Sequence, residues 1–130
     1  MDIPEKKPDI RALILVVEDE ALVRMMLVDV LDDAGFKVVE AAHADEALHI
    51  LAAAPDVQVV VTDVEMPRGS INGFELARRV REDRRDIGVL IASGRVAPAP
   101  GELPEGAYFA EKPVHPERLL ELVRALLVGG

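Results

Sequence analysis

Short apolar runs alternate along the chain with longer amphipathic stretches, and this rhythm predicts a β/α repeat. Residues 12–17, 37–42, 57–62, 88–93 and 107–111 read as strands. Those of the Val-Val-Val and Val-Leu-Ile kind, with little polar interruption, suit a sheet buried on both faces. Residues 21–34 have helical period: Leu22, Val23, Met26, Leu27, Val30, Leu31 and Ala34 share one broad face, with Arg24, Asp29, Asp32 and Asp33 opposite and Gly35 as the stop. A second helix over 44–53 ends before Pro55, and a third over about 71–84 turns Phe74, Ala77 and Val80 inward. The last, over about 116–128, carries a stripe of Leu119, Leu120, Leu122, Val123, Leu126 and Leu127 behind Pro116 in its first turn. Strands and helices in this order imply right-handed crossovers and an α/β fold with a doubly wound parallel sheet. One crossover breaks the pattern. Between Ser93 and Ala107 lie Gly94, Pro98, Pro100, Gly101, Pro104 and Gly106, so any helix there is short or irregular.

Composition narrows the class. A chain of 130 residues, half apolar and 30% charged, fits one domain over 11–130 behind a loose leader over 1–10. The apolar runs fall far short of the roughly 20 residues needed to cross a membrane, and residues 1–8 lack the apolar centre of a secretory signal. The absence of cysteine removes disulfides and thiolate zinc sites, which agrees with a cytoplasmic location. A formal charge of −9 argues against nucleic acid as a partner, because that binding rests on neutralising phosphates.

The charged residues that matter sit where strands stop. Glu18, Asp19, Asp63, Ser93 and Lys112 each fall at or just beyond the carboxyl end of a predicted strand, the edge where open parallel sheets place ligands. Converging carboxylates repel one another unless a cation joins them. As hard oxygen donors with no neighbouring His or Cys, they point to Mg²⁺. A carboxylate beside Mg²⁺ and an ammonium is suited to accept a phosphoryl group as an acyl phosphate.

With these residues the chain resembles a response-regulator receiver domain, from about Ala12 to Val128. The matching elements are Val-Glu-Asp-Glu at 17–20, Thr-Asp-Val-Glu-Met-Pro at 62–67, Asn72-Gly73, Ser93 and Lys112-Pro113. The resemblance implies a flavodoxin-like five-stranded sheet of order 2-1-3-4-5 and a stand-alone response regulator. It implies Asp63 as phospho-acceptor from a phosphohistidine, Asp19 as direct Mg²⁺ ligand, Glu18 acting through water, and Glu65 lending its backbone carbonyl. Lys112 would contact the phosphoryl oxygens, Ser93 would be the switch hydroxyl and Phe109 the switch aromatic, and the Lys112-Pro113 bond would be cis. Partners would be a histidine kinase or a histidine phosphotransfer protein and a downstream protein. Met25 and Val28, on the otherwise polar side of the first helix, are candidates for the partner surface.

The chain also departs from the family pattern. Glu18 replaces the commoner aspartate, and residues around Gly69 lengthen the segment between Pro67 and Gly73. Gly94 stands where alanine is frequent, and Phe109 lacks a phenolic oxygen. A pair between Glu65 and Arg95, two residues beyond Asp63 and Ser93, would partly cover the acceptor. Glu20 suits a helix N-terminus. His43, His49 and His115 lack metal-ligand spacing, and Arg78, Arg79, Arg81, Arg84 and Arg85 read as a solvated face. Two rival readings are a receiver-like interaction module independent of phosphorylation and a small Mg²⁺-dependent phosphatase. The first is opposed by intact Asp63, Asp19 and Lys112; the second would need a substrate cap and a general acid that so short a chain does not offer.

Overall fold

A computed structural model of the chain describes residues 11–94 and 97–129; the expected leader and Arg95, with its pairing to Glu65, lie outside them. The strands are β1 (Leu13–Val17), β2 (Lys37–Ala41), β3 (Val57–Asp63), β4 (Gly88–Ser93) and β5 (Tyr108–Glu111). The helices are α1 (Ala21–Asp33), α2 (Ala44–Ala53), α3 (Gly73–Asp83) and α4 (Pro116–Gly129). The sheet is parallel throughout, in the expected order β2-β1-β3-β4-β5.

Alternation along each strand divides the core between the two faces of the sheet. On one face Leu15, Val17, Val60, Val89 and Ile91 meet Ala44 and Ala47 of α2 and Phe74, Leu76, Ala77 and Val80 of α3. On the other, Ile14, Val16, Val59, Val61 and Leu90 meet Leu31 of α1 and Leu119, Leu122, Val123 and Leu126 of α4. β3 slips once against β1: Leu13 pairs with Val57 and Ile14 with Val59, leaving Gln58 unpaired and exposed. That bulge is why Val57 and Val60, three apart, share a face.

The helix ends follow the local sequence. Gly35, at φ 99°, closes α1: its N–H bonds the Asp32 carbonyl (2.9 Å) and the Phe36 N–H reaches Leu31 (3.1 Å). His43 caps α2, its Nδ1 accepting from the Glu46 N–H (3.3 Å), while Glu46 accepts from the Ala42 N–H (2.8 Å). Asn72 caps α3 through Glu75 N–H (2.9 Å). As expected, no helix forms between β4 and β5 among the described residues; turns at Ala99–Glu102 and Pro104–Ala107 fill the gap, with Gly101 and Gly106 at positive φ. Leu103 packs from this segment onto the core.

α1 is rotated from the expected orientation. Leu27, Val28, Val30 and Leu31 face the core, so Val28 is half-buried whereas Met25 is exposed. Leu22, expected inside, is exposed, as is Met26; with Met25 they form an outer apolar cluster at i, i+3, i+4 spacing. The cause lies in the width of the apolar arc: α1 has more apolar positions than the sheet can cover, and contact with α4 as well as the sheet decides which turn inward.

Candidate functional site

Register brings the strand-end residues together. Val17 lies beside Thr62, Asp63 beside Ala92, and Ser93 beside Glu111, so the residues ending or following β1, β3, β4 and β5 reach one edge. Carboxylate oxygens of Glu18, Asp19 and Asp63 approach within 4.8 Å of one another. The Lys112 ammonium bonds Glu18 Oε1 at 2.6 Å and stands 3.3 Å from Asp63 Oδ1. The Lys112-Pro113 peptide is cis, and Lys112 N–H donates to the Ser93 carbonyl (3.0 Å). Asp19, Asp63, Glu65, Ser93 and Lys112 line an open cleft of about 800 Å³.

Each acid is held differently. Glu18 is 1% exposed, and burial, reinforced by the charge of Asp63, raises its carboxyl above the ordinary range against the opposing pull of Lys112. Burial alone would lower the Lys112 ammonium, yet its bonds and attraction to Glu18 and Asp63 prevail and raise it. Asp63 Oδ1 accepts from the Val64 N–H (2.8 Å), while Thr62 Oγ1 donates to the Asp63 carbonyl (2.8 Å). All three acids offer hard oxygens, a donor set that fits Mg²⁺.

Lys112→Met leaves Glu18 buried beside Asp63 without its cation. A loss on the order of 2 kcal/mol is expected near neutrality, less than for a fully buried broken pair because Lys112 is a fifth exposed and partly screened by solvent. The pH dependence has a definite sign. Glu18 already titrates above its unfolded value, and losing Lys112 raises it further, so stability present below about pH 4.5 drains away as pH rises through the folded value. Thermal melts in metal-free buffer are expected to show a larger deficit at pH 8 than at pH 5; an equal deficit would contradict the assignment.

The segment after Asp63 is tied to its surroundings by contacts that periodicity does not reveal. Gly73 N–H donates to the Val64 carbonyl (2.8 Å), drawing the start of α3 onto the end of β3. The lengthened loop turns back through Gly69 N–H to the Met66 carbonyl (2.9 Å). Ser70 then bonds Asp45 of α2 twice, through Oγ (2.6 Å) and N–H (3.3 Å), which holds the Asp45 carboxyl below the usual range. Arg68 donates to the Asp19 carbonyl (3.1 Å). On the opposite side Arg24 bonds both the Glu18 carbonyl (2.6 Å) and Glu40 (3.1 Å). Arg24, Asp45, Arg68 and Ser70 were not among the expected site residues. Arg68 and Ser70 leave a trace in the extra length around Gly69; Arg24 and Asp45 leave none. Phe109 does not join the cleft and packs half-buried on the α2/α3 side.

The model of the family described as response regulator receiver domain matches residues 14–124. The sensor kinase CckA of Brucella abortus (strain 2308) is 37% identical over 129 residues; the match covers 95% of this chain and 13% of that kinase, so the chain spans a small part of it. The chemotaxis protein CheY1 of Helicobacter pylori (strain 26695) is 32% identical over 120 residues, covering 88% of this chain and 95% of that protein. A solved response regulator receiver protein from Sinorhizobium medicae WSM419 superposes with a TM-score of 0.85 at 27% identity, covering 92% of this chain and 96% of that one.

Proposed function

Because this chain belongs to the response-regulator receiver domain family, we propose that Asp63 accepts a phosphoryl group from a partner's phosphohistidine in the presence of Mg²⁺, and that the change switches partner binding or relays the phosphoryl group onward. The observation that carries this reading is the meeting of three carboxylates, Ser93 and Lys112 at one sheet edge. Asp19, Asp63, the Glu65 backbone carbonyl and, more remotely, Glu18 are the residues that would hold Mg²⁺. When bound, the ion offsets negative charge on the phosphoryl oxygens.

The chain's own residues do the rest. Val64 N–H and Lys112 hold Asp63 Oδ1, leaving Oδ2 to form the new O–P bond as the P–N bond of the donor breaks and imidazole departs with a proton. Lys112, raised by its carboxylate neighbours, stays charged to meet the transferred oxygens. Ser93, buried at the end of β4, supplies the hydroxyl that favours the phosphorylated conformer, and Phe109 is the aromatic that repacks with it. The phosphoryl group biases the domain only as far as it bonds differently in the two conformers. Water later attacks phosphorus and releases inorganic phosphate.

The partner surface is Leu22, Met25 and Met26, exposed on the first turns of α1 directly after the cleft residue Glu20. The occupant would be the histidine-bearing helical surface of a kinase or phosphotransfer protein, which must approach Asp63 from that side.

Incubation with a small acyl phosphate and Mg²⁺ is expected to add one phosphoryl group, stable in acid and labile in base, to the peptide containing Asp63. Chelation should prevent it. Failure to form the adduct with Mg²⁺ present would reject the reading.

A further inference from the structure

We propose that the groove between the end of α3 and the crossover into β5 is a docking site for an acidic segment of a protein partner, with Arg81 and Arg85 receiving its carboxylates. The proposal is independent of the chemistry at Asp63.

The five arginines expected as one solvated face divide into two kinds. Arg78 is paired with Glu75 and Glu82, Arg79 with Glu75 (3.1 Å) and Arg84 with Asp86 (3.3 Å). Arg81 and Arg85 have no carboxylate partner among the described residues, although the chain carries a formal charge of −9. Both line a groove of about 470 Å³ whose other wall is Pro104, Glu105 and Gly106.

Only one side of the Arg81 guanidinium is engaged. Nη1 donates to the carbonyls of Arg85 (3.0 Å) and Ile87 (2.7 Å), which ties the end of α3 to the entry of β4. The opposite edge, Nε with Nη2, can meet both oxygens of one carboxylate at once. Nε is buried without a hydrogen-bond partner, and no other side-chain nitrogen or oxygen among the described residues shares that condition. Buried donors are normally satisfied, because an unmade bond leaves their desolvation uncompensated. The crossover lies over this edge: a Cβ at Gly106, where φ is 86°, would stand 3.0 Å from Arg81 Nη2. An incoming carboxylate would meet Nη2 first, and a small outward shift of Gly106 would admit its second oxygen to Nε. Arg85, exposed on the same groove, offers a second positive charge.

The acids of the groove select the occupant. Glu82 is held by Arg78 at 2.7 Å, whereas Glu105 has no cation partner among the described residues and competes for the arginines. A continuous track of phosphates would be repelled by these acids and by the net charge, so nucleic acid fits poorly. A peptide presenting separate carboxylates beside apolar atoms fits two arginines and Pro104. α3 packs on the sheet face opposite α1, so a partner bound here leaves Leu22, Met25 and Met26 uncovered.

The experiment titrates the full ¹⁵N-labelled chain with end-blocked hexaglutamate, with hexaglutamine as the uncharged control and a single-stranded deoxynucleotide of equal length as the rival polyanion. Hexaglutamate is expected to shift the amides around Arg81, Arg85 and Gly106 and to move the Arg81 Nε–H proton downfield as it gains a bond. The effect should weaken as salt is raised. Arg81→Lys keeps the charge but loses the fork, and should weaken binding about tenfold or more, as truncation of a desolvated charge pair does. Arg85→Gln disturbs no side-chain bond of the fold and should weaken binding a few-fold, so it decides the matter should Arg81→Lys fail to fold. Glu105→Gln should tighten binding several-fold by removing the competitor.

Hexaglutamate that leaves these signals unmoved overturns the proposal, as does equal binding of hexaglutamine, tighter binding of the deoxynucleotide, or affinity indifferent to Arg85. An Arg81 Nε–H proton already downfield in the free chain, and shifted back by Glu105→Gln, would make Glu105 the occupant and overturn it equally.

Discussion

Asp63→Asn is expected to abolish the acyl-phosphate adduct completely while leaving the fold intact. Asparagine has the same outline, and its carbonyl oxygen can still accept the Val64 N–H that Asp63 Oδ1 accepts at 2.8 Å. What disappears is the nucleophilic carboxylate and one of three converging charges. Because the charge of Asp63 helps raise Glu18, its removal should bring Glu18 back toward the ordinary carboxylate range. Three measurements should therefore move together. The adduct vanishes, the metal-free melting temperature stays level or rises, and the increase in melting temperature on adding Mg²⁺ shrinks because a ligand is gone. An adduct that survives the substitution would place the acceptor elsewhere, and a large fall in metal-free stability would mean that Asp63 is structural first.

Gly73→Ala is the second substitution with a large expected effect, and it acts without touching a charged group. A Cβ at this position would lie 1.9 Å from the Asp63 carbonyl oxygen, 2.8 Å from its carbonyl carbon and 2.9 Å from Val64 Cα. All three obstacles are backbone, so no side chain can swing aside. Relief requires α3 to withdraw from β3, breaking the 2.8 Å bond from Gly73 N–H to the Val64 carbonyl and displacing the acceptor. The cost should be about 3 kcal/mol, the upper end for an overpacked site, or roughly 10 °C in melting temperature for a domain of this size. Adduct formation should slow in parallel. Gly94→Ala is the matched control, because its Cβ would meet only Lys112 Cβ at an ordinary 3.6 Å. A Gly73→Ala protein that melts within a few degrees of wild type would show that the contact between β3 and α3 is softer than described.

The sheet and its charged edge were legible because one physical signal carried both. A strand buried on two faces must be apolar until it leaves the core, so the first charge after Val17 and Thr62 marks the edge and the site at once. Ser93 and Lys112 follow the same logic at the ends of β4 and β5. Features set by contact between distant segments were not legible. The rotation of α1 depends on α4 as well as the sheet, so an arc wide enough to include Leu22 and Val28 could not reveal which would be covered. The bonds from Ser70 to Asp45 join residues 25 apart whose proximity exists only once α2 and α3 pack. Strand-end position alone places Glu18 with the other acids of the edge. Its engagement with Lys112, 94 residues away, depends on β1 and β5 ending at the same edge. The unpaired Gln58 likewise looked like an ordinary polar interruption in an apolar run.

The crossover without a helix divides the site mechanically. Glu18, Asp19 and Asp63 hang from β1 and β3, each bordered by strands on both sides and roofed by helices on both faces. Lys112 hangs from β5, an edge strand with one neighbour, and the segment leading into it is fastened by turns and by Leu103. Opening free energies follow what each element buries. The acids thus stand on bedrock, while the lysine stands on a ledge whose detachment would leave most of the hydrophobic interior closed. A domain built this way can change the shape of one flank and keep its melting transition almost unaltered, so the information it carries need not be bought with its stability.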